Sequence, residues 1–221
     1  PSTRLNLGMN MPPSFTFASA EQAAARFGNA EEGYTYSRVG NPTVRMFESR
    51  LAALEGAEDA LATASGMAAI FTAATAVLRG GDHALCAANV FGATQQLFAT
   101  VLARFGIETS FVEGTDIAAW RAALRPNTRL LFAETPSNPL TELVDLDAFA
   151  ALAREAGALS VIDNCFCTPL AQRPLEHGID VVVHSATKYI DGQGRVLGGA
   201  VVGSRNFVRE QALPILRTTG M

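Results

Sequence analysis

Lys188 is the only lysine among 221 residues, and it sits in the stretch His184-Ser185-Ala186-Thr187-Lys188-Tyr189. Every other cationic side chain, from Arg4 to Arg217, is an arginine. Arginine serves as well as lysine for surface charge, ion pairs and phosphate forks. It holds its proton at any usable pH, however, and cannot act as an amine nucleophile or base. A retained lysine therefore points to Schiff-base chemistry or proton transfer, with a chance survivor in an arginine-rich chain as the alternative. The residues around it must decide.

Five further features could join an amine in chemistry. Asp163 follows the apolar run LSVID, and Phe91 follows HALCAA in the turn Asn89-Val90-Phe91-Gly92. Asn138 stands in the rigid turn Thr135-Pro136-Ser137-Asn138-Pro139. Ser65-Gly66-Met67 opens a helical stretch with small residues, so that backbone N–H groups are free at a positive helix end. Ser185 and Thr187 place two hydroxyls beside the amine. Taken singly, these are a helix start, a core aromatic, a turn and a cap. Together they supply an amine, an acid, an aromatic plate, an amide and a phosphate cup, the set that pyridoxal phosphate requires.

What must position these residues is a sheet. Short, continuously apolar runs recur at 59–64, 83–88, 107–112, 129–134, 159–163, 180–185 and 198–203. Such runs predict strands covered on both faces. Helical stretches such as ATQQLFATVLARFG and LDAFAALAREAG lie between most of them, which predicts a doubly wound α/β domain with a mostly parallel sheet. In that architecture ligands bind beyond the carboxyl ends of the strands, where each candidate residue falls. Residues 1–40 read as an irregular arm. The segment after it, NPTVRMFESRLAALEG, predicts a helix capped by Asn41, with Pro42 at its first position and Gly56 at its stop. Val44, Phe47, Leu51 and Leu54 are its expected buried face. The resulting division is an arm with first helix, 1–56, and a cofactor-binding α/β domain, 57–221.

Composition excludes several classes. Hydrophobic residues make up 48% of the chain and the net charge is −4 with no basic run, so neither nucleic acid nor an anionic membrane is an expected partner. No apolar run approaches a membrane span, and PSTRLNLGMNMPPSF has no signal core. The three cysteines, Cys86, Cys165 and Cys167, form no disulfide framework, and a reducing cytoplasm is the expected location. The C-x-C pair of Cys165 and Cys167 has no second pair, so no metal site is expected. His184 reads as a hydrogen-bonded strand-end residue rather than a base. Gly192-Gln193-Gly194 is too short for a nucleotide loop.

The chain resembles the Cys/Met-metabolism branch of fold-type-I pyridoxal-phosphate enzymes. The resemblance rests on Tyr36-Ser37-Arg38, Asn41-Pro42-Thr43, Ser65-Gly66-Met67, Pro136-Ser137-Asn138-Pro139, Asp163-Asn164 and Ser185-Ala186-Thr187-Lys188-Tyr189, in the family's order. It implies that Lys188 holds pyridoxal 5'-phosphate as a Schiff base and later shuttles protons. Asp163 would keep the pyridine nitrogen protonated, Phe91 would stack on the ring, and Asn138 would lie near the ring hydroxyl. Ser65, the N–H groups of Gly66 and Met67, and the hydroxyls of Ser185 and Thr187 would hold the phosphate. Tyr36 and Arg38 would reach the phosphate of a neighbouring subunit in a homotetramer.

Where many relatives carry tyrosine over the ring, this chain has Phe91, which stacks but offers no phenol. The stretches at 163–169 and 189–195 look most like O-succinylhomoserine sulfhydrylases. That implies γ-replacement of an O-acylhomoserine by sulfide to give homocysteine, in methionine biosynthesis. Cystathionine γ-synthase, O-acetylhomoserine sulfhydrylase and methionine γ-lyase remain alternatives within the family. Relatives continue into a smaller C-terminal domain beyond LPILRTTGM, so a cofactor-binding fragment without turnover is the alternative of another class.

Overall fold

The computed structural model describes residues 12–220; the start of the predicted arm and most of the stretch scanned for a signal core lie outside them. Helix α1 spans Ala20–Phe27 and α2 Pro42–Glu55. Strand β1 (Asp59–Thr63) leads to α3 (Gly66–Val77), and β2 (His83–Ala87) to α4 (Gly92–Gln96). The winding continues past α4 as a π turn over Leu97–Val101 and a 3-10 turn over Leu102–Phe105. Then come β3 (Glu108–Val112), α5 (Ile117–Ala122), β4 (Thr128–Glu134), α6 (Leu146–Ala156) and β5 (Leu159–Asp163). Next are α7 (Thr168–Ala171), β6 (Val181–Ser185), β7 (Gly199–Gly203) and α8 (Leu213–Thr219).

The seven strands form one sheet in the order β1-β7-β6-β5-β4-β2-β3. All pairings among β6, β5, β4, β2 and β3 are parallel, whereas β7 runs antiparallel to both of its neighbours. Each apolar run predicted as a strand is a strand, shifted by a residue at most. β2 and β7 are buried at every position and β4, β5 and β6 at most of theirs, which explains their lack of alternation. Trp120 meets Phe149 edge-on at 4.9 Å between ring centroids in the main core.

The arm contains more order than expected. Ser19 accepts the N–H of Gln22 and starts α1, and Gly28 ends it, so residues 20–27 correct the reading of an irregular 1–40. In α2 the predicted ends hold: Asn41 Oδ1 accepts the N–H groups of Thr43 and Val44, and Gly56 stops the helix in the left-handed region. Its buried face differs. Glu48, Leu51, Ala52 and Glu55 face inward, while Val44 and Leu54 are exposed. The inward carboxylates find partners there, which offsets part of the cost of burying them; of their oxygens, Glu55 Oε2 alone stays without a partner among the described residues. Glu48 and Asp59 share Arg45 and Arg209 in a four-membered ion network that ties α2 to β1. Among the described residues no helix is long and apolar enough to cross a membrane.

Candidate active site

Register decides which strand ends meet. Glu134 pairs with Asp163 across β4 and β5, Asp163 with Val183 across β5 and β6, and Ser185 with Gly199 across β6 and β7. One edge of the sheet thus carries both carboxylates and the segment leading to Lys188. A cleft of about 210 Å³ opens there, lined by Ser65, Gly66, Met67, Phe91, Asn138, Asp163, Ser185, Thr187 and Lys188. All nine were singled out from sequence. Two that were not brought together are Tyr36 and Arg38. Arg38 lines a separate groove of about 590 Å³, its guanidinium carbon 5.6 Å from the Tyr36 ring centroid and one nitrogen donating to the Arg217 carbonyl.

Lys188 lies in a single turn of winding at Ala186–Ile190, with its own backbone at φ −92° and ψ −117°, outside the helical region. Its side chain has no hydrogen-bond or ion-pair partner among the described residues. An uncommitted amine at a strand end is what covalent chemistry with an aldehyde requires.

The expected phosphate cup is built by close approach. Ser65 caps α3 by accepting the Ala68 N–H at 3.1 Å, worth about 1 kcal/mol. The N–H groups of Gly66 and Met67 stay without intrahelical partners, as the first turn of any helix must leave them. A Cβ on Gly66 would stand 2.7 Å from that of Ser185, and one on Gly199 would stand 2.7 Å from the Gly66 nitrogen. Only glycine at both positions lets β6, β7 and the start of α3 converge. The Ser185 hydroxyl has no partner among the described residues. The Thr187 hydroxyl is engaged both ways with Gly198, donating to its carbonyl at 3.2 Å and accepting its N–H at 3.1 Å; of the two predicted hydroxyl donors, Ser185 is the uncommitted one.

Asp163 accepts the Cys165 N–H at 3.0 Å. Burial and the neighbouring Glu134 carboxylate push its acid up to about 7, against that one stabilising hydrogen bond. A positive charge placed against Asp163 would relieve both effects. Burial likewise raises Glu134, partly offset by the Phe91 N–H that it accepts at 2.6 Å. The Cys165 thiol is raised to about 11 by burial and by Asp163, which keeps it protonated and unsuited to ligating a metal. No metal-binding cluster exists among the described residues.

Sequence reasoning missed Glu134. Its signal was available: it ends the apolar run RLLFAE as Asp163 ends LSVID. Behind the site, His184 Nε2 and Glu55 Oε1 lie 2.6 Å apart and fully buried, which bears out the reading of His184 as a hydrogen-bonded strand-end residue. Asn164 also donates to Glu55, at 3.2 Å, and receives a hydrogen bond from Gln172 at 2.9 Å. These contacts lock α2 to the residues next to Asp163 and Ser185.

The Cys/Met metabolism PLP-dependent enzyme family matches residues 5–221. The chain belongs to that family. It is 54% identical over 207 residues to an O-succinylhomoserine sulfhydrylase of Pseudomonas aeruginosa, covering 94% of this chain and 51% of the relative. It is 45% identical over 195 residues to an L-methionine gamma-lyase of Fusobacterium nucleatum, covering 88% and 49%. A crystal structure of an O-acetylhomoserine (thiol)-lyase from Campylobacter jejuni superposes with a TM-score of 0.86 at 35% identity, covering 91% of this chain and 49% of that one. That structure carries a pyridoxyl-lysine monophosphate. The chain spans about half the length of the curated relatives it matches. Pyridoxal phosphate is the family's cofactor, and the cleft fits it: a free amine, an uncommitted hydroxyl, free helix-start N–H groups and a carboxylate converge without any side chain filling the cup.

Proposed function

We propose that this protein catalyses γ-replacement on O-succinyl-L-homoserine, with sulfide as nucleophile and L-homocysteine and succinate as products. The observation that carries this reading is the unpartnered Lys188 facing the same cleft as Asp163 and Phe91. Identity of 54% and 47% to O-succinylhomoserine sulfhydrylases supports the choice of reaction. Phe91 supports it too: stacking without a phenol disfavours an elimination in which a phenol assists proton transfer.

Bound pyridoxal phosphate would supply an electron sink for the carbanions left when the substrate loses its α and β protons. The chain's own residues do the rest. Lys188 would hold the cofactor's aldehyde and, once substrate has taken its place, would move the α proton. Asp163, ionised, would keep the ring nitrogen protonated. Phe91 would cover the ring and exclude water. Asn138 would orient the ring hydroxyl, and Ser65, Gly66, Met67, Ser185 and Thr187 would seat the phosphate at the start of α3. Tyr36 and Arg38, outside the cleft of their own chain, serve the neighbouring subunit's phosphate in a homo-oligomer. Residues 1–56 then act as the subunit-bridging arm and 57–221 as the cofactor domain, in the cytoplasm. Succinate leaves Cγ with the bonding electrons, hydrosulfide adds at that carbon, and the protons removed from Cα and Cβ return.

The test supplies pyridoxal phosphate, O-succinylhomoserine and sulfide to the purified protein. Homocysteine and succinate should form in equal amounts, and borohydride reduction should leave a phosphopyridoxyl group on Lys188. Faster turnover of O-acetylhomoserine, of cysteine in place of sulfide, or of methionine to a thiol and a keto acid would move the protein to another activity of the family. A second reading, cofactor binding without turnover, draws on the span of about half the relatives' length. A trapped Lys188 adduct with no product from any substrate would establish it.

A further inference from the structure

Glu134 is a carboxylate that meets the cleft without a role above. It is nearly fully buried at the end of β4, and it lines the cleft beside Asp163. One of its oxygens, Oε2, accepts the Phe91 N–H at 2.6 Å across 43 residues of chain. Phe91 precedes the first residue of α4 and has no side-chain cap of its own. Its amide is therefore an orphan donor of a helix start, and Glu134 is the acceptor that fixes it.

A second tether runs parallel to the first. Asn89, two residues before Phe91, donates to Glu142 Oε2 at 2.7 Å, and the Glu142 N–H donates to the Ser137 hydroxyl at 3.1 Å. The loop carrying Phe91 is thus fastened at two points to the segment that carries Asn138. Of the two tethers, only Glu134 sits in the cleft wall, and only Glu134 holds the backbone of the aromatic residue itself. The Phe91 ring is about half exposed, at 47%, so packing alone does not hold it. The backbone beneath it must.

We propose that Glu134 is a positioning residue of the cofactor site, which fixes the Phe91 backbone and so sets the height of the ring above the cleft. This inference rests on the cofactor reading above. A carboxylate that merely caps α4 would stabilise the fold without acting through the Phe91 ring, and the two roles separate in a double-mutant cycle.

The experiment titrates the purified, cofactor-free protein with pyridoxal phosphate and reads affinity from the visible absorbance and circular dichroism of the bound cofactor. The set comprises the unmodified protein, Glu134→Ala, Glu134→Gln, Phe91→Ala and the double variant Glu134→Ala/Phe91→Ala. Glu134→Ala should weaken binding about tenfold, the scale of one lost hydrogen bond to a charged group. Glu134→Gln keeps an oxygen acceptor for the same N–H and should stay within about threefold. The double variant should bind no more weakly than Phe91→Ala alone. Additive losses in the cycle would overturn the proposal, as would unchanged affinity in Glu134→Ala. If Glu134→Ala does not fold, Glu134→Asp replaces it in the cycle, since the shorter side chain withdraws the carboxylate from the amide. Failure of the unmodified protein to bind pyridoxal phosphate would instead refute the cofactor reading.

Discussion

Gly199→Ala should damage the cofactor site more than any other single added methyl group. The new Cβ would lie 2.7 Å from the Gly66 nitrogen and nearer still to the Ser65 carbonyl, where ordinary contact starts at 3.4 Å. Backbone must therefore move by roughly an ångström. Strand β7 cannot yield easily, because Gly199 pairs with Thr63 on one side and Ser185 on the other. The displacement passes to the start of α3, where the Gly66 and Met67 amides sit. Overpacking of this kind costs about 1–3 kcal/mol, and two-sided pairing puts Gly199 near the upper end. A shift of about 1 Å in a binding constellation costs on the order of a hundredfold. Urea denaturation and a pyridoxal phosphate titration measure the two effects. Gly92→Ala serves as the stability control, since a Cβ there meets nothing within 4 Å; it should leave stability unchanged or raise it by up to about 1 kcal/mol. A Gly199→Ala protein with unaltered midpoint and affinity would refute the claim that glycine builds the cup.

Other expectations follow from the charges. Asp59 would rise through burial, but hydrogen bonds from Arg209 and Arg45 outweigh that and bring it to about 2. Its contribution of about 2 kcal/mol is present above pH 3.8 and is lost as pH falls toward 2; acid denaturation of Asp59→Asn should lack that slope. Asp163, held up to about 7, works in the opposite sense. Without cofactor the folded state binds the extra proton, so stability should fall as pH rises from about 4 to about 7. Urea midpoints across that range should show the fall in the cofactor-free protein and not in Asp163→Asn. His184→Leu removes one of the two donors to the buried Glu55 and leaves the Asn164 amide at 3.2 Å, so it should cost about 1–3 kcal/mol; an unchanged thermal midpoint would show that Asn164 alone satisfies Glu55.

The sheet was legible because burial on both faces writes strands as unbroken apolar runs, and a run such as HALCA has no polar position to mislead. Direction was not written the same way. GGAVVG reads as another buried strand, and nothing in it tells that β7 runs against its neighbours. The return at 186–198 holds one turn of winding at Ala186–Ile190 and not the covering α-helix that a parallel crossover usually carries. In α2 the apolar spacing named Val44 and Leu54, yet Glu48 and Glu55 went inward. Their partners, Arg45, Arg209, His184 and Asn164, come mostly from distant segments, so a periodicity count cannot see that these carboxylates have partners. Helix α1 was missed for a local reason, because its Ser19 cap and Gly28 stop were both visible.

The candidate site followed the same division. Residue types that chemistry makes irreplaceable stood out: one lysine among arginines, an acid ending an apolar strand, small residues opening a helix. Glu134 did not, although it ends a strand in the way Asp163 does, because its partner is a backbone amide. An amide is present at every residue and marks none. Side-chain chemistry can be read from letters, whereas the backbone donors that a carboxylate holds in place appear only when strands β2 and β4 lie side by side. Adjacent carboxylates at the ends of β4 and β5 then acquire different tasks from different surroundings. In the proposed site Asp163 would answer the charge of a bound ring, and Glu134 would hold the segment that covers it.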